Sequence, residues 1–77
     1  MKYNIGDKVI VRSDLIVEEN YGGMYFLDAM SPLRGAVVEI EGIVTLKPVY
    51  RIKESHLPYW TNEMFIDPKE MKYINID

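Results

Sequence analysis

Apolar and polar positions alternate at period two along two stretches of the chain, a third is a continuous apolar run, and each predicts a strand. Residues 36–41, Ala36-Val37-Val38-Glu39-Ile40-Glu41, set Val38 and Ile40 against Glu39 and Glu41. Residues 49–54 put Tyr50 and Ile52 on one face and Arg51 and Lys53 on the other. Lys8-Val9-Ile10-Val11-Arg12 follows the turn pair Gly6-Asp7 and is rich in β-branched side chains, so it reads as the first strand. Gly42 interrupts the alternation of residues 36–41 and predicts a bulge or turn. Beyond the turn Ser55-His56-Leu57-Pro58, Tyr59-Trp60-Thr61 predicts a short strand. Residues 61–64 predict one helical turn capped by Thr61 or Asn62, and Phe65-Ile66 a last strand.

The pattern is weaker between residues 14 and 35. Tyr21-Gly22-Gly23 breaks the chain, because paired glycines accept positive φ. Met24 to Met30 is apolar without clean alternation. Phe26 and Met30 stand four apart, which suggests one or two helical turns that Ser31-Pro32 and Gly35 close. A connection this long in so small a domain is usually functional. Residues 71–76 form a candidate extra strand. The pattern as a whole is mainly β: a small SH3-like barrel of about five strands over residues 1–66, with a long first loop and an extension over residues 67–77. A sheet closed on itself also removes exposed edges at minimal length.

Composition narrows the function classes. The chain has 77 residues, enough for one domain near the lower limit of a self-sufficient core. It has no cysteine and one histidine, His56, which excludes thiol chemistry and a His-rich zinc site. The absence of disulfides suits a reducing, cytosolic setting. Residues 1–7 lack the apolar core of a signal peptide, and no run is long enough to span a bilayer, so no membrane partner is expected. The net charge of −3, without a basic block, argues against duplex DNA as a partner. No phosphate loop, dinucleotide fingerprint or zinc motif occurs. The expectation is a binding protein, not an enzyme, with no cofactor.

Several strings in this order resemble a domain of phages and prophages of Gram-positive bacteria. They are Ile5-Gly6-Asp7-Lys8-Val9, Tyr21-Gly22-Gly23, Tyr50-Arg51-Ile52-Lys53-Glu54 and Tyr59-Trp60-Thr61-Asn62-Glu63-Met64-Phe65. The resemblance spans residues 4–66 and is most specific at its aromatic end. It departs at Ser31-Pro32-Leu33-Arg34 and at Ser55-His56-Leu57-Pro58, and the last eleven residues are additional. It implies an SH3-like module that binds peptides or proteins. Stand-alone phage proteins of this size often block a bacterial defence factor of the host cytosol, sequester a nucleotide immune signal, or serve phage assembly.

Four groups of residues are candidates for recognition. Tyr59 and Trp60 are adjacent in an extended segment, so one ring faces the core and the other a groove. With Tyr21, Tyr25 and Phe26, the outer ring would make an aromatic platform, unless all of these rings are structural. Arg34 and Arg51, with Arg12 and Lys53, offer planar or point cations for phosphate or carboxylate. The alternative is a solvated face paired with Glu39, Glu41 and Glu54. Asp14, Glu18, Glu19 and Asp28 would let the long loop imitate nucleic-acid phosphates and block a basic groove, or simply keep it soluble. His56 stands without a second histidine or a nucleophile. With so small a core and a candidate strand at the end, pairing into a homo-oligomer is a further expectation.

Overall fold

The computed structural model describes residues 2–44 and 49–68. In chain order the elements are β1 (Lys8–Val11), β2 (Asn20–Tyr21), β3 (Met24–Tyr25), a first 3-10 turn (Asp28–Leu33), β4 (Val37–Val44), β5 (Val49–Ile52), a second 3-10 turn (Asn62–Met64) and β6 (Phe65–Ile66). The fold is mainly β. One antiparallel sheet has the order β5-β4-β1-β6, and β2 and β3 form a separate hairpin within the long loop.

Register follows the hydrophobic pattern. Val9 lies opposite Val38 and Ile40 opposite Ile52, which puts the β-branched residues of three strands on one inner face. The pairing shifts between Ile40 and Gly42, so the expected irregularity at Gly42 is a bulge. That bulge bends β4, which pairs with β1 at its start and β5 at its end.

Residues 60–66 tie the two edges of this sheet together. The Tyr50 N–H donates to the Trp60 carbonyl oxygen at 2.6 Å, beside β5. Five residues later Phe65 pairs with Val11 on the opposite edge, and the Arg12 N–H donates to the Met64 carbonyl oxygen at 2.9 Å. At the β5 edge the contact is a single bridge, Tyr50 to Trp60, and the sheet does not close into a barrel among the described residues. The short strand expected at Tyr59-Trp60-Thr61 is thus one bridging residue.

Aromatic rings fill the core. Trp60 stacks on Phe65 with centroids 5.8 Å apart, and Phe26 meets Trp60 edge-on at 6.3 Å. Tyr3, Tyr50 and Phe65 pack together at 5.7–6.0 Å. The Tyr50 hydroxyl is used on both sides: it accepts from the Tyr3 N–H at 3.0 Å and donates to Asn62 Oδ1 at 2.9 Å. Burying each large apolar side chain here contributes about 1.5–3 kcal/mol.

Two local expectations are corrected. The helical segment expected between Met24 and Met30 is a 3-10 turn displaced to Asp28–Leu33, and it runs through Ser31-Pro32 instead of stopping there. The fixed φ of proline suits 3-10 geometry, and Met24-Tyr25 is claimed by the hairpin. Thr61 holds the cap position of the second turn but makes no capping hydrogen bond, because its hydroxyl is committed to Tyr21. The candidate strand at residues 71–76 lies outside the described residues.

Candidate docking surface

The long loop is fastened at many points. Its hairpin turns through Gly22 and Gly23, with φ of +67° and +103°. The Thr61 hydroxyl donates to the Tyr21 carbonyl oxygen at 2.6 Å, and the Ile16 N–H donates to the Tyr21 hydroxyl at 2.9 Å. A side chain at Gly22 would meet Thr61 and Glu63 at 3.2–3.3 Å, so the hairpin tip lies directly against the segment that begins the second 3-10 turn. The Glu18 N–H donates to the Phe26 carbonyl oxygen at 2.7 Å, and the Phe26 N–H to that of Glu19 at 3.0 Å.

Two arginines complete the fastening. Arg12 forks onto Asp14 at 3.0 and 2.9 Å, donates to the Glu63 carbonyl oxygen at 2.7 Å and lies over the Tyr21 ring at 5.7 Å. That hydrogen bond holds the Asp14 carboxyl below the usual carboxylate range and raises the Arg12 guanidinium. Arg34 donates to the Leu15 carbonyl oxygen at 2.8 Å and covers the Phe26 ring at 5.2 Å.

The fastened hairpin presents apolar side chains to solvent. Met24, Tyr25, Leu27 and Tyr59 line an open cleft of about 240 Å³. Tyr25 is 58% exposed, and Leu27 and Tyr59 are 37% exposed each. Exposed apolar rings cost free energy in water, so a contiguous group on a pre-ordered loop marks a place where something can be bound.

The seven candidate recognition residues separate. Tyr25 and Tyr59 meet in the cleft. Phe26 and Trp60 are both 0% exposed and belong to the core, so they have no surface to offer. The expectation that one ring of Tyr59-Trp60 points inward and one outward holds, with Trp60 inside. Its indole N–H meets no acceptor among the described residues, so Trp60 serves as volume. Tyr21 is half-buried and holds the loop together. Arg34 braces the loop base, and Arg51 is exposed on β5 with its stem against Gly42. Neither arginine lines the aromatic cleft, so aromatics and arginines do not form one pocket there. Lys53 pairs with Glu39 at 3.0 Å, which raises its pKa. His56 is exposed. Among the described residues no three of His, Asp and Glu converge on a metal position, and no helix is long and apolar enough to cross a membrane.

Met24 and Leu27 are cleft residues that the sequence reading passed over. A signal for Leu27 is there: Tyr25 and Leu27 flank buried Phe26 at period two, as in an extended chain. The four-residue spacing of Phe26 and Met30 obscures it.

No family model, curated protein or solved structure matches this chain. The fold and the cleft define the class: a small, mainly β domain with an open aromatic cleft between its first loop and Tyr59.

Proposed function

We propose that this is a non-enzymatic binding protein that docks on a protein partner through the cleft of Met24, Tyr25, Leu27 and Tyr59. The observation that carries the reading is the exposure of Tyr25 and Leu27 on a loop already ordered by hydrogen bonds, with Tyr59 exposed beside them. A pre-ordered loop loses little conformational entropy on binding, so its apolar contacts count toward affinity. The phage resemblance supplies the partner class, a bacterial defence factor blocked by contact. The nucleotide sponge is less favoured, because a nucleotide needs cations among the rings and no Lys or Arg among the described residues lines this cleft. A role in phage assembly would use the same cleft on a phage protein.

The test is phage infection of a bacterial host that carries a defence system. Expression of the protein should restore plaque formation, and the double variant Tyr25→Ala/Tyr59→Ala should abolish the rescue while keeping the wild-type melting temperature. No rescue across a panel of defence systems would remove the anti-defence role. Rescue that survives in the folded double variant would remove the cleft.

A further inference from the structure

The charge around the cleft is one-sided. Residues 13–33 carry four carboxylates and no Lys or Arg, and residues 54–68 carry three carboxylates and no Lys or Arg. All nine Lys and Arg lie outside these two segments, which are the ones that build the cleft. Asp14 is neutralised by Arg12. Glu18, Glu19, Asp28 and Glu63 are exposed, and none has an ion pair among the described residues. They stand next to the cleft residues in the fold: Glu18 and Glu19 pair by backbone with Phe26, between Tyr25 and Leu27; Asp28 follows Leu27; and the Glu63 carboxylate lies by Gly22 at the hairpin tip, within the longer-range field of Arg12. Arg34 at the loop base is the one cation that braces this region without a carboxylate partner among the described residues.

We infer, on the footing of the docking reading above, that the cleft takes a cationic protein segment: apolar side chains anchored between Tyr25, Leu27 and Tyr59, with flanking Lys or Arg facing Glu19, Asp28 and Glu63. A second copy of this chain is a poor occupant, since it would bring the same carboxylates against themselves and the chain carries a net charge of −3. An anionic ligand meets the same repulsion. Apolar anchoring sets the hold, and the rim charges choose the partner and speed its arrival, in a salt-dependent way.

Two synthetic peptides with one shared Leu- and Phe-containing stretch, flanked by lysines in one and glutamates in the other, test this by titration against the intact protein. The lysine-flanked peptide should bind about tenfold tighter or more at low salt, with the gap closing in high salt. The variant Glu19→Gln/Asp28→Asn/Glu63→Gln should erase the preference, and Tyr25→Ala/Tyr59→Ala should lose binding of both peptides. Equal binding of the two peptides, lost in the tyrosine variant, would overturn the charge inference and leave the docking reading standing. Binding that survives in the folded tyrosine variant, or no binding of either peptide, would overturn both. Should the neutralised variant unfold, the peptide pair and its salt dependence decide alone.

Discussion

Thr61 shows how much one hydroxyl does in a domain this small. It is buried, and its 2.6 Å hydrogen bond is what joins the hairpin carbonyl of Tyr21 to the second 3-10 turn. Thr61→Val keeps the shape and leaves that carbonyl without its partner, so we expect a loss of about 1–3 kcal/mol by urea denaturation, most of it spared in Thr61→Ser. Equal stability of the valine variant would show that the bond is not formed in solution. Trp60 is a second such residue. Its ring is enclosed by Phe26 and Phe65, so Trp60→Ala should cost about 3–5 kcal/mol and leave the domain largely unfolded by circular dichroism. A folded Trp60→Ala protein with weakened partner binding would instead place that ring at the surface.

At the level of elements, the long loop is a structured arm rather than a slack connection. Its hairpin has only two residues per strand, too few to stand alone, and it depends on Arg12, Thr61 and Arg34 reaching in from outside. The Arg12–Asp14 fork predicts a pH dependence with a definite sign. The native state lowers the Asp14 pKa, so its contribution is complete above the ordinary carboxylate range, near pH 4, and is lost as pH falls through the lower native value. Between about pH 5 and pH 2 the wild-type protein should therefore lose stability more steeply than Asp14→Asn, as read by thermal melts across that range. Parallel slopes would mean that the fork does not persist in solution. β4 and β5 were legible from alternation because each has one wet face, and β1 from its run of β-branched residues. The hairpin was legible only as a break at Gly22-Gly23, since two-residue strands are too short to show a period.

For the whole molecule, stability and recognition are assigned to different rings. Tyr3, Phe26, Tyr50, Trp60 and Phe65 hold the core, whereas Tyr25 and Tyr59 face water. Exposed positions change stability little, so Tyr25→Ala and Tyr59→Ala should each leave the melting temperature within a few degrees, about 0.5 kcal/mol or less. Larger losses in thermal melts would mean that these rings pack as part of the fold. Composition and hydrophobic pattern by themselves determined the class: a small β domain without cysteine, with strands expected at residues 8–12, 36–41, 49–54 and 65–66, a glycine break in the first loop and an irregularity at Gly42. They also determined that Tyr59 and Trp60 point opposite ways, because adjacent side chains of an extended chain must. Which of the two is inside was decided only by the tertiary structure, when the return of residues 60–66 from β5 to β1 placed Trp60 over Phe65 and Phe26. The same closure turned Phe26 from a candidate contact into core, and committed Arg12 to Asp14 and Glu63. It also brought Tyr59 to Met24, Tyr25 and Leu27, more than thirty residues away in the chain. Period reports which residues share a face of one element; only the packing of elements against each other reports which face meets water.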